Sequence, residues 1–136
     1  MNLPSRKIVV FRAMLLTALI VITHLATTSM QYPVVEDISD KANHILAFYV
    51  LALLIDFSFP NSKFGLAKVS VLLGYGLAIE FIQYFLPFRS ASLLDVAADG
   101  VGLIVYWLSL PALRQVPWVR SRWEVETGIT DRTSID

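Results

Sequence analysis

Apolar residues fall into four long runs separated by short polar breaks. The first, "IVVFRAMLLTALIVITHLATT", covers about residues 8–28 and is long enough to cross a bilayer core, which takes about 20 residues. The second, "HILAFYVLALLIDFSF", covers about 44–59 and is slightly short for a span. The third and fourth cover about 66–86 and 93–113. The breaks carry helix-ending and turn-forming residues: Pro33 in the first, Pro60, Asn61 and Gly65 in the second, Pro87 in the third. The pattern predicts an all-α fold, a four-transmembrane-helix membrane bundle occupying residues 1–113. A polar tail at 114–136 follows, partly interfacial through Trp118 and Trp123, with a disordered end. The first run has the basic start of a signal peptide, but its length and the poor cleavage site at "HLATTSM" favour a retained helix.

Composition agrees with lipid as the solvent. Of 136 residues, 56% are hydrophobic and only 16% are Asp, Glu, Lys or Arg, against roughly 25% in soluble domains. The formal net charge is zero, which argues against nucleic acid as a partner. Cysteine is absent, so disulfides and thiolate metal sites are excluded. No Walker loop, dinucleotide fingerprint, G-x-S-x-G elbow or H-E-x-x-H zinc signature occurs, and neither a cofactor nor a metal is expected.

Basic residues set the expected orientation. Arg6, Lys7 and Arg12 lie at the first helix, Lys63 and Lys68 at the second break, and Arg114, Arg120, Arg122 and Arg132 after the fourth helix. The other two connectors offer only Lys41 and Arg89. By the positive-inside rule, both termini are cytoplasmic and the first and third connectors face outward.

That orientation gathers the polar residues of the spans at one outer level. Glu80 lies about 9 Å below Leu86, and Asp99 about 9 Å below Leu93, at 1.5 Å per helical residue. Gly76, Glu80 and Gln83 share one helical stripe, and Asp95, Asp99, Gly102 and Tyr106 another. Lys41, His44 and Phe48 form a third. Gly76 and Gly102 permit close helix approach. His24 and Thr28 reach the same level from the side. Ionised groups within a membrane face the bundle interior or a wet cavity. Crowded carboxylates disfavour a second negative charge, so Glu80 or Asp99 can hold a proton and act as a general acid. His44 is a third acid–base candidate, because imidazole titrates near neutrality. Lys41, Gln83, Arg89 and Asp95 are candidate ligand-binding groups, with Arg89 suited to phosphate or carboxylate. In a scaffold-only alternative, Arg89 pairs with a carboxylate, Gln83 bonds to another, and Asp95 closes a capping box with Ser92. Asp40 is read as a cap or loop residue, and Asp56 as a cap or snorkelling group at the inner end.

Two segments carry a family resemblance. "IEFIQYFLPFRSASLLDVAADGVG", from Ile79, and "SDKANHILAFYVL", from Ser39, resemble motifs of the VanZ-like family of small bacterial multi-pass membrane proteins. The first carries Glu80, Gln83, Pro87, Arg89, Ser90, Ser92, Asp95, Asp99 and Gly102, and the second Asp40, Lys41, His44 and Phe48. The chain departs from the family pattern at Asp99, where Asn is frequent, and at Tyr106, where Gly is frequent. The resemblance implies a protein of the bacterial cytoplasmic (inner) membrane acting at the cell envelope, with an association to resistance against glycopeptide antibiotics of the teicoplanin type. The expected partner is a membrane lipid or lipid-linked cell-wall component, bound by its headgroup. The other classes are a membrane-embedded hydrolase or transferase using Glu80, His44 and Asp99, a small proton-coupled transporter, and an accessory protein with a packing-only polar network.

Overall fold

A computed structural model of the chain describes residues 5–29 and 38–123. Four long helices are present: α1 (Ser5–Thr27), α2 (Ile38–Ser58), α3 (Leu66–Tyr84) and α4 (Leu93–Leu113). All four are long and apolar enough to cross a membrane. Helices suit that setting because each satisfies its own backbone hydrogen bonds where water is absent. The expected disordered end of the tail lies outside the described residues.

The bundle is built around α2 and α4, which share the most extensive contact. Gly102 makes this possible, because a Cβ there would sit 2.5 Å from the carbonyl oxygen of Ile45 and 3.1 Å from the amide nitrogen of Tyr49. Phe48, Leu51, Ala52 and Ile55 of α2 bury against Leu103, Tyr106 and Leu110 of α4, with Leu72 of α3 completing the core. α1 lies at the side and contains no buried residue in its span. Val9, Leu16 and Ile20 of α1, Val71 and Leu77 of α3, and Ile104 and Leu108 of α4 are exposed. Large apolar side chains on the outside and charges within are the arrangement of a protein solvated by lipid.

α4 keeps its expected extent, running through Pro111 to Leu113. Elsewhere the structure departs from the sequence pattern. α2 begins at Ile38, so it has 21 residues and is not short; Asp40 and Lys41 belong to its first turns. After α4 a short helix, α5 (residues 117–123), starts at Pro117, whose missing N–H is no loss at a first helical position. α5 turns Arg122 and Trp123 inward, leaving Trp118 as the exposed ring. Trp123, expected at the membrane interface, instead packs edge-on against Phe57, with ring centroids 5.7 Å apart.

Candidate functional site

The local chemistry begins at the start of α4. Ser92 is its N-cap and accepts the Leu94 amide with its hydroxyl. A capping box would have the Asp95 carboxylate accept the Ser92 amide. That amide instead donates to Glu80 Oε2 of α3, at 2.8 Å. Glu80 thus ties the end of α3 to the start of α4, and Asp95 turns towards α2.

There Asp95 meets His44. The His44 ring lies between two carboxylates of α4: Nδ1 is 2.7 Å from Asp99 Oδ1, and Nε2 is 4.0 Å from Asp95 Oδ2. The Asp99 side chain is 1% exposed, that of His44 20%. The i, i+4 spacing of Asp95 and Asp99 places both on one face of α4, so a single imidazole from α2 can face both. Gly76 of α3 makes room behind them, since a Cβ there would stand 2.5 Å from Asp99 Oδ2. Glu80 is buried, and its Oε1 has no hydrogen-bond partner.

Other expected members of this cluster make different contacts. Gln83 donates to the Ala26 carbonyl at 2.9 Å. Arg89 donates to the carbonyls of Leu25 and Thr28 at 2.6 and 3.3 Å. Neither contact is the carboxylate pairing of the scaffold-only alternative. Both side chains satisfy carbonyls at the end of α1, where a cation also complements the helix dipole. Lys41 and His24 are exposed. Asp40, also exposed, joins His44 and Asp95 in a group whose potential metal-ligating atoms all lie within 4.8 Å of one another.

A second polar constellation occupies the opposite end of the bundle. Asp56, expected to cap or snorkel, is fully buried. Its Oδ1 accepts from Lys68 at 2.8 Å and Arg122 at 2.6 Å, and its Oδ2 from Tyr106 at 2.7 Å. Lys68 also donates to the carbonyls of Phe59 and Ser62. Arg122 donates to those of Asp56, Pro60 and Ser62. Two cations therefore organise the α2–α3 turn around one carboxylate. Opposite charges at Asp56 and Lys68, either side of a short break, were a legible signal of pairing. Arg122 offered none, because its partners lie some 60 residues earlier in the chain.

Part of the chain is similar to a Schizosaccharomyces pombe protein described as "Uncharacterized protein C11E3.10", with 34% identity over 68 residues. That alignment spans 48% of this chain and 42% of the yeast protein, so the chain matches less than half of that relative's length. No solved structure matches. The VanZ/LLP1 family matches over residues 3–114, which includes all four long helices and both segments that carry the His44 cluster. By this match, the chain is a multi-pass membrane protein belonging to the VanZ/LLP1 family.

Proposed function

We propose that the His44 end of the bundle is a headgroup-binding site on the outer side of the bacterial cytoplasmic membrane, for a lipid or lipid-linked glycan. The carrying observation is Glu80 Oε1, a buried carboxylate oxygen without a hydrogen-bond partner beside the paired His44 and Asp99. A network serving packing alone gains nothing from a buried acceptor left unsatisfied, which costs about 1–3 kcal/mol or more when charged. A binding site uses such a group. The apolar helix surfaces around the cluster suit an acyl or polyprenyl tail, with the polar head directed to His44, Asp95 and Glu80.

The orientation rests on charge. Arg12 donates to the carbonyl of Ser58, while Lys68 and Arg122 bond to Asp56. These basic residues share the end opposite His44, the distribution expected of a cytoplasmic face. An envelope headgroup site is consistent with the family's association with teicoplanin-type resistance.

The test is native mass spectrometry of the full chain purified with its lipids. A defined headgroup retained by wild type and lost from folded His44→Ala and Glu80→Gln variants supports the site. Retention by both variants refutes it. The hydrogen bond between His44 and Asp99 also favours a second reading, turnover of the headgroup. A carboxylate that orients an imidazole is a recurrent acid–base arrangement. Headgroup release by wild type, absent in His44→Gln, would establish that reading; binding without release would exclude it.

A further inference from the structure

The proposed headgroup site has an unbalanced charge. Among the described residues, Asp40, Glu80, Asp95 and Asp99 bring four carboxylates to the His44 end, against the exposed Lys41, Arg89 and the imidazole. Arg89 is engaged with the carbonyls of α1. Such a site repels a phosphate that arrives alone and attracts a cation.

Its geometry is that of a cation site. Potential ligand atoms of Asp40, His44 and Asp95 lie within 4.8 Å of one another. Ligands of a tetrahedral ion bound at about 2.0–2.2 Å are roughly 3.4 Å apart. The group therefore has to close by about 1.4 Å, which the exposed Asp40 can supply by rotating. His44 is already aimed. The buried carboxylate of Asp99 holds Nδ1 at 2.7 Å, which leaves Nε2 on the side of Asp95. A carboxylate behind a ligating histidine fixes ring orientation and tautomer in many metal sites.

Glu80 supplies an independent observation. It is 7% exposed, its Oε2 is fixed by the Ser92 amide, and its Oε1 is unpartnered. It lies within electrostatic reach of Asp95, His44 and Asp99. A buried carboxylate oxygen without a donor calls for nearby positive charge.

We propose that Asp40, His44 and Asp95 bind one divalent first-row transition ion of the Mn²⁺ or Zn²⁺ class, and that this ion bridges to a phosphate oxygen of the headgroup. One imidazole with two carboxylates suits these ions, whereas Mg²⁺ and Ca²⁺ favour oxygen ligands throughout. Asp99 is a positioning residue acting through His44. The bridging part rests on the headgroup reading above; the cation site does not.

The experiment uses the full-length protein in detergent, stripped with EDTA and titrated with MnCl₂. Unbound Mn²⁺ is followed by electron paramagnetic resonance, with Zn²⁺ and Mg²⁺ as competitors. The expected result is one Mn²⁺ per chain, displaced by Zn²⁺ and not by equimolar Mg²⁺. Asp95→Asn should weaken binding at least tenfold. Asp99→Asn should weaken it about 10–100-fold while keeping the one-ion stoichiometry, as removal of an orienting carboxylate does. Saturating Mn²⁺ should raise the unfolding temperature of wild type and not of Asp95→Asn, whose own cooperative transition reports that it is folded. Absence of saturable binding, or equal binding by folded His44→Ala and Asp95→Asn, overturns the site. Displacement by equimolar Mg²⁺ overturns the assignment to a transition ion. For the bridge, nanodiscs containing phosphatidylglycerol are compared with inorganic phosphate. Mn²⁺-dependent retention of the lipid supports a lipid headgroup, and Mn²⁺-dependent binding of phosphate alone supports a free anion at the same ion. Lipid retention unaffected by EDTA overturns the bridge and leaves the headgroup reading standing. Mn²⁺ binding with neither lipid nor phosphate overturns the bridge and leaves the cation site standing.

Discussion

Replacing Asp56 by Asn tests whether the inner charge network holds the bundle together. The substitution preserves the shape of the side chain and removes its charge. Both oxygens of Asp56 face donors: Lys68 and Arg122 at Oδ1, and Tyr106 at Oδ2. An amide has one acceptor oxygen and one NH₂ group, so one of the two positions must lose its acceptor. Turned towards the cations, the amide oxygen still accepts, and the Tyr106 hydroxyl can rotate to accept from the NH₂ group. The negative charge at that position is lost. Lys68 and Arg122 remain buried, at 5% and 0% exposure, facing a neutral amide where the carboxylate stood.

Removing one partner of a buried ion pair costs about 3–5 kcal/mol, a large share of the ~5–15 kcal/mol that holds a domain folded. For a chain of this size the unfolding midpoint should fall by about 10–20 °C. The assay is thermal unfolding of the full chain in detergent, followed by tryptophan fluorescence, because Trp123 sits in the packing that α5 makes against Phe57. Two variants calibrate the result. Tyr106→Phe loses one hydrogen bond to a charged acceptor, about 1.5–3 kcal/mol. Asp40→Asn, compared in EDTA so that no ion is bound, changes an exposed residue in the first turn of α2 and should cost less than about 1 kcal/mol. The expected order of destabilisation is Asp56→Asn, then Tyr106→Phe, then Asp40→Asn. An Asp56→Asn protein that unfolds within a few degrees of wild type would refute the claim that the carboxylate neutralises two buried cations.

Four further outcomes follow from named contacts. Gly102→Ala puts a methyl group 2.5 Å from the Ile45 carbonyl oxygen, a backbone atom that cannot swing aside, and should cost about 1–3 kcal/mol in the same thermal assay. Gly76→Ala meets the Asp99 carboxylate instead; pushing Asp99 away from His44 should weaken headgroup retention in native mass spectrometry before it lowers the unfolding temperature. Arg89→Ala releases the carbonyls of Leu25 and Thr28, and hydrogen exchange should quicken in the last turn of α1 while α2 and α4 keep their protection. Single cysteines at exposed Ser90 and Ser62 have no native thiol to confuse them; in intact cells the first should react with an impermeant maleimide and the second should not, and the reverse would overturn the proposed orientation.

Much of the architecture could be read in advance because lipid simplifies the reading. Each span must satisfy its backbone internally, so four apolar runs imply four helices, and the fourth run, at about 93–113, corresponds to α4. Helix periodicity also put His44, Asp95 and Asp99 on facing stripes, and the structure joins them. Partners were less legible where a side chain had a choice. Arg89 and Gln83 carry donors of the kind that bind anions, and in the structure both donate to carbonyls at the end of α1. Periodicity cannot tell one acceptor from another. α2 began six residues earlier than its apolar run because Asp40, Lys41 and Asn43 are helical without being hydrophobic.

Tyr106 shows how the two ends of the bundle are connected. It stands on the same α4 stripe as Asp95, Asp99 and Gly102, where the family resemblance leads one to expect glycine. Gly102 brings the backbones of α2 and α4 together, so that one turn away Asp99 reaches His44. One turn in the other direction, Tyr106 fills the space and carries its hydroxyl to Asp56. The close crossing at Gly102 thus fixes the spacing of both polar pairs. The two ends differ in what they leave unsatisfied. At the Asp56 end the cations reach the carboxylate and the carbonyls of the α2–α3 turn, which is the chemistry of a fastening. At the His44 end, among the described residues, carboxylates outnumber the cations they meet, and Glu80 Oε1 stays unpartnered, the two features on which the proposed binding site rests.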